Sequence, residues 1–332
     1  MDQIREEGLS HHALPLTRSG KNPLIEIRAF WAIYRLFRKI KPDVVHLVTV
    51  KPVLYGGIAA RLARIPGTVA AISGLGYLFV AQGFAAGIRR ALVEMMYGFA
   101  LRSEKSRVIF QNPCDRDLFV EHGIINAGQA VMIRGSGADL EAFSASTEPE
   151  GVPVVVMAAR LLVDKGVREF VEAARLLHSR GVVARFVLAG APDPGNPSSV
   201  TEDELKKWSD EEFVELAGHR SDIASLFSAS HIVVLPSYYR EGLPKVLVEA
   251  SACGRAVVTT NMPGCRDAIE PERSGLLVPA KNASALADAI QRLIEDKALR
   301  LRMGKAGRRL AEREFSIEQV VDKHLEIYGS FG

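Results

Sequence analysis

Two glutamates, Glu241 and Glu249, stand with seven residues between them in the stretch PSYYREGLPKVLVEASACGRAVVTT, residues 236–260. The stretch reads as strand, loop, helix, strand. Gly242, Leu243 and Pro244 open the helix. The first N–H groups of a helix lack acceptors within it and its dipole end is positive, so a phosphate can sit there, and proline suits that first turn. Glu249 falls about two turns further along, so one helix can offer a phosphate seat at its tip and a hydroxyl-binding carboxylate on its side. Taken alone, two glutamates at this spacing are also what a solvated helix face shows, and the pair gains meaning from its neighbours.

Those neighbours are strand-length apolar runs alternating with helix-length periodic segments, the pattern of βαβ units and a parallel sheet. In the first half the runs lie at 42–49, 67–74, 106–112 and 130–134. Six more follow residue 151, enough for a complete doubly wound sheet. Helices are expected at about 283–295, 298–313 and 316–329. The polar segment 144–153, SASTEPEGVP, reads as the linker between two Rossmann-like domains. GLSHHALPL, residues 8–16, reads as a strand. No apolar strand running into a glycine-rich turn precedes it, so the first domain is expected to lack its opening βα unit, whose strand is central in the doubly wound order.

The Glu-x7-Glu stretch and the earlier AARLLVDKG, residues 158–166, together resemble the family 4 glycosyltransferases of the GT-B fold. The resemblance extends from about residue 131 to 329. It implies two Rossmann-like, doubly wound α/β domains facing across a cleft. Residues 1–148 would bind the acceptor, completed by the C-terminal helix 316–330, and 149–315 would bind a nucleotide-sugar donor. It also implies that Arg160 and Lys165 clamp the donor diphosphate, which is chemically sensible because fixed cations stabilise the charge that grows on the leaving group. Glu249 would hold the ribose hydroxyls, and Glu241, with Gly242 and Leu243, would approach the transferred sugar and phosphate. Gly218 and His219, in AGHRSD, occupy the place where the family's backbone meets the nucleobase. RGSGADLEAF, residues 134–143, resembles the family's hinge, with Gly135 and Gly137 permitting a turn and Asp139 structural.

In the first half, HLVTVKPVLYGGIAARLARIPG and AISGLGYLF resemble the subgroup acting on polyprenyl-diphosphate-linked glycan intermediates. On the acceptor side this points to His46, Lys51 and Tyr55, at or past a strand's C-terminal end where open α/β sheets bind ligands. Lys51 can pair with an acceptor diphosphate; buried or capping roles are the other reading of His46 and Tyr55. Ser73, Gly74 and Gly76 form a small-residue loop allowing close backbone approach to substrate. Many of the family carry a histidine in this loop, and this chain has none.

Composition bounds the rest. The chain has 332 residues, 48% hydrophobic and 24% charged, a globular composition sufficient for two domains. Residues 16–107 hold 15 Lys/Arg against 4 acids, a balance of +11 within a total of +3. Such a face can meet an anionic membrane surface, a diphosphate or only water; no nucleic-acid-binding signature accompanies it. No uncharged apolar stretch reaches about 20 residues, and 78–101, with Arg89 and Arg90 in its middle, reads as a half-buried amphipathic helix, packed on the core or touching a membrane surface. The start lacks the features of an export signal. Cys114, Cys253 and Cys265 show no metal spacing and read as reduced thiols. Asp115-x-Asp117 mimics a metal motif but falls at a helix start, where side chains two apart diverge.

The function that the resemblance implies is a retaining, metal- and cofactor-independent transferase. It moves a hexose or N-acetylhexosamine, with uridine the base implied by the subgroup, to a lipid-diphosphate-linked saccharide at the cytoplasmic face of the membrane. Two alternatives are an inactive nucleotide-sugar-binding remnant and a nucleotide-sugar epimerase of similar two-domain architecture.

Overall fold

The computed structural model describes residues 6–16, 22–75 and 83–331. Among the described residues the first sheet has four parallel strands, β1 (Val44–Val48), β2 (Gly67–Ile72), β3 (Ser106–Phe110) and β4 (Ala130–Met132), paired in that order. Helices α1 (Pro23–Ile40), α2 (Gly57–Ala63), α3 (Phe84–Leu101) and α4 (Pro113–Glu121) belong to this half, and a π-helical turn, Pro52–Gly56, leads into α2. Phe110, Phe119 and Tyr97 meet edge to face at the centre of its core.

The second sheet runs β10-β9-β8-β5-β6-β7. Its strands are β5 (Val154–Ala158), β6 (Arg185–Ala189), β7 (Glu215–Gly218), β8 (Ile232–Leu235), β9 (Ala256–Thr260) and β10 (Gly275–Val278). All are parallel, and the central ones are buried throughout because helices cover both faces. The order reverses between β5 and β8, the point at which such sheets open a crevice at their carboxyl ends. Between and after the strands lie α5 (Val167–Ser179), α6 (Glu202–Glu211), α7 (Ile223–Ser228), α8 (Lys245–Ala252), α9 (Ala283–Glu295), α10 (Lys297–Glu314) and α11 (Ile317–Gly329).

The chain crosses between the halves twice, side by side. Ala138 donates to the Phe315 carbonyl at 2.8 Å, and Ile317 donates back to the Ala138 carbonyl at 3.0 Å. Gly137 has φ +78°, and a Cβ there would stand 2.7 Å from Ile317 Cα, so only glycine fits the crossing. Beyond it, α11 returns to the first sheet, where Val320 and Ile327 pack on Val69, Ile109 and Ile133.

One expectation needs correction. Residues 9–16 form no strand; Pro15 removes a ladder donor and breaks the alternation that would face a core. The segment 144–153, expected as the linker, is held in place at its start. Glu148 forms a buried pair with Arg300 at 2.9 Å, and the Arg255 guanidinium donates to the Ser146 carbonyl at 2.9 Å. Two buried arginines recruit that polar segment as the acceptor they require.

Candidate functional site

The loop between β8 and α8 is built around Glu241. Its carboxylate accepts from Lys165 Nζ at 2.5 Å and from Ser237 Oγ at 2.9 Å, and the residue is 9% exposed. Lys165 reaches it from the loop after β5. That loop is fastened in turn, because the Asp164 carbonyl accepts from the N–H groups of Tyr238 and Tyr239 at 3.0 and 3.1 Å. Gly166, at φ +81°, lies so close to Pro236 that any Cβ would collide with its carbonyl. The Asp164 carboxyl is pushed above the usual range, first by burial, against which Lys165 and Arg160 pull it down and Glu241 adds to the rise.

A cleft of about 410 Å³ opens at the carboxyl ends of β5, β6 and β7, with Arg160, Gly190, Asp193, His219 and Glu249 in its wall. Arg160 Nη1 donates to Asp193 Oδ2 at 2.8 Å. Glu249 reaches the wall from the middle of α8. Burial raises its carboxyl, only partly offset by Lys245 Nζ at 3.3 Å. Gly190 must be glycine, since a Cβ would strike the Ala159 carbonyl, whereas Gly218 turns at φ +64° with open space around it. Arg160, His219 and Glu249 thus share one cleft, while Lys165 and Glu241 form a separate pair.

Leu243 differs from its expected role. Its N–H donates to Gln111 Oε1 at 3.0 Å instead of being free for a phosphate, its side chain is buried, and regular helix starts only at Lys245, after Pro244. Gly242 is required because a Cβ would meet the Gln111 side chain and, at 2.7 Å, the Ser73 carbonyl carbon.

The first half grips this loop. Asn112 Nδ2 donates to the carbonyls of Glu241 and Gly242 at 3.2 and 3.0 Å. Arg240 Nε donates to Asp115 Oδ1 at 2.7 Å, and the Asp115 side chain is fully buried. Asp117 instead pairs with Arg116 at the surface, so the two aspartates do diverge. At Gly74, φ is +101° and a Cβ would lie 2.6 Å from Gly242 N, so this glycine admits the loop from the other half. Ser73 lies against the same loop; Gly76 lies outside the described residues.

Of the remaining acceptor-side residues, Lys51 and Tyr55 meet at Glu26, and His46 faces α11. His46 is mid-strand in β1, not at its end, and its Nδ1 lies 2.7 Å from the Tyr328 hydroxyl of α11. Partial burial, then the neighbouring His324, lowers its pKa. Lys51 Nζ donates to Glu26 Oε1 at 2.9 Å. Tyr55 shares Glu26, and burial followed by that hydrogen bond pushes its hydroxyl up to about 12. The thiols are free, with Cys253 and Cys265 buried and Cys114 partly so.

Gln111, Asn112, Asp115, Ser237, Arg240 and Asp193 were not singled out from the sequence as site residues. QNPCD directly follows the β3 run, where loops of such sheets carry function; nothing comparable marks Ser237 or Asp193.

The model of group 1 glycosyl transferases matches residues 139–310, and a glycosyl transferase 4-like model matches 2–112. A Campylobacter jejuni protein, N,N'-diacetylbacillosaminyl-diphospho-undecaprenol alpha-1,3-N-acetylgalactosaminyltransferase, is 30% identical over 98% of this chain and 87% of its own length. An Escherichia coli protein, UDP-Gal:alpha-D-GlcNAc-diphosphoundecaprenol alpha-1,3-galactosyltransferase, is 26% identical over 91% of this chain and 79% of its own. Among solved structures, Anabaena HepE in complex with UDP superposes with a TM-score of 0.78 at 20% identity, covering 99% of this chain and 88% of that one.

Proposed function

This chain belongs to the group 1 family of glycosyl transferases and has the GT-B architecture, and from that premise we propose that it moves a hexose or N-acetylhexosamine from a UDP-sugar to a polyprenyl-diphosphate-linked saccharide. The observation that carries the donor side is the cleft holding Arg160, His219 and Glu249 beside the Lys165–Glu241 pair. Glu249 receives the ribose hydroxyls, Gly218 and His219 border the base, and Arg160 and Lys165 face the diphosphate. The relatives named for undecaprenol-linked sugars support the acceptor class.

In this reading residues 1–148, completed by 316–330, hold the acceptor, and 149–315 hold the donor. The packing of α11 on the first sheet supports that division. Lys51 meets the acceptor diphosphate by exchanging Glu26 for it. The sugar's bond to the phosphate oxygen breaks, its electron pair leaving with UDP. The acceptor hydroxyl attacks the same face of the oxocarbenium-like carbon, and its proton passes to a departing phosphate oxygen. Configuration is retained, and Arg160 and Lys165 neutralise the leaving charge without a metal. The enzyme works at the cytoplasmic face of the membrane. Among the described residues, no helix is long and apolar enough to cross it.

The test supplies UDP-N-acetylgalactosamine, UDP-galactose and UDP-N-acetylglucosamine in turn, with a polyprenyl-diphosphate-linked N-acetylglucosamine acceptor and with or without EDTA, and reads the anomeric proton of the product. Transfer insensitive to EDTA that keeps the donor's configuration is expected. An inverted product, or release of an epimerised donor without transfer, sinks the reading.

A further inference from the structure

The first half carries apolar stripes that its own core does not cover. On α3, Ile88, Leu92, Met95 and Phe99 recur at helical spacing opposite the buried Tyr97 and Leu101, and all stand in solvent, Met95 at 65% exposure. On α1, Leu24, Ile27 and Trp31 do the same opposite the buried Ala29 and Ile33. Helix α2 packs against both and adds exposed Leu62. Soluble surfaces scatter such side chains singly, whereas stripes on adjacent helices mark an interaction site.

The charge on this face identifies its partner. At 100° per residue, Arg28, Arg35 and Arg38 lie on the same outward side of α1 as its apolar stripe. Arg61 of α2 holds its guanidinium 4.8 Å from the Phe99 ring centre. A second copy of this chain would set these cations against their own kind, whereas lipid phosphates complement them. Helices with exposed apolar stripes and flanking arginines lie in the plane of a bilayer interface.

We propose that the face formed by α1, α2 and α3 docks on an anionic lipid surface, its apolar stripes entering the headgroup boundary and its arginines meeting lipid phosphates. The use of such a face rests on the reading above, since a polyprenyl-linked acceptor resides in a bilayer; the docking itself is tested without any sugar substrate.

The chain has two tryptophans, Trp31 in this face at 49% exposure and Trp208 in the second core at 6%. Vesicles of phosphatidylglycerol and phosphatidylcholine should shift the emission of the wild-type protein to the blue. Trp31→Phe should lose that shift while still floating with the vesicles. Leu92→Glu combined with Met95→Glu should lower partitioning at least about tenfold, and Val183→Glu, on the exposed surface of the second half, should leave it unchanged. The proposal is overturned if the wild-type protein ignores anionic vesicles, if pure phosphatidylcholine vesicles bind it equally, or if light scattering shows a dimer that Met95→Glu abolishes. Transfer to a short-chain, water-soluble acceptor separates the two readings. Failure of docking with transfer intact overturns this proposal alone, and docking without transfer overturns the functional reading alone.

Discussion

Lys165 Nζ meets Glu241 Oε1 at 2.5 Å, joining the loop after β5 to the loop after β8. β5 and β8 are the neighbours between which the strand order reverses, so the pair spans the mouth of the crevice that such a reversal creates. Both side chains are largely withdrawn from water, at 16% and 11% exposure, which strengthens their attraction and raises the cost of leaving either one alone.

Lys165→Met and Glu241→Gln should each lower kcat by about two to three orders of magnitude, the scale of removing one preorganised charge from a transition state. Because the two residues act as a unit, the double variant should fall little below the worse single. Single-turnover rates at saturating donor measure this, and fully additive losses would show two independent roles.

Asp115 and Arg240 form the corresponding joint between the halves. Arg240→Ala leaves a fully buried carboxylate whose remaining side-chain hydrogen-bond partner among the described residues is Asn112, and should cost about 3–5 kcal/mol of stability. Asp115→Asn in the Arg240→Ala background should restore part of that loss, a coupling of about 1–3 kcal/mol. Urea titrations of the four proteins close the cycle, and a coupling near zero would mean that the pair holds nothing.

Gly74→Ala should impair transfer more than its size suggests. The residue sits at φ +101°, and the new methyl carbon would lie 2.6 Å from Gly242 N and 2.8 Å from the Arg240 carbonyl oxygen. The loop bearing Glu241 must then shift, so kcat should fall while donor affinity, which the proposed reading assigns to the cleft around Arg160 and Glu249, changes little. Calorimetric titration with UDP beside steady-state rates reads the split. Equal damage to both would place the glycine's effect in global stability.

Glu249→Gln should trade stability against binding. Burial raises the Glu249 carboxyl, so the folded protein binds this proton more tightly than the unfolded chain does. Its contribution to stability is therefore present at low pH and lost as pH rises through and above the ordinary carboxylate range. The glutamine variant should be at least as stable as wild type at pH 7, with the difference vanishing on acidification. Its thermal shift with UDP should shrink, against about 2.7 kcal/mol expected for wild type at ~100 times the dissociation constant. A variant less stable at neutral pH that also binds UDP normally would refute both parts.

Much of the fold could be read along the chain. The ten apolar runs that became strands are contiguous in sequence, and each is bounded by turn residues, so local periodicity suffices to find them. GLSHHALPL failed because apolar content without a partner strand is not a strand. The glutamates and the Arg160–Lys165 spacing could be named because the stretches that carry them resemble motifs of a known family.

The sequence by itself determined the parallel α/β class and the doubly wound second sheet, since both follow from short-range pattern, and its motifs named four charged residues through their resemblance to a known family. Only the tertiary structure decided which of those residues share a cleft and which pair with each other. It also revealed that Gly74, Gln111, Asn112 and Asp115 of one half hold the loop carrying Glu241 of the other, over separations such as the 125 residues between Asp115 and Arg240. No local pattern encodes those contacts. They exist because a buried carboxylate must find a cation and a close-packed backbone admits only glycine, and both requirements arise only once the two halves meet.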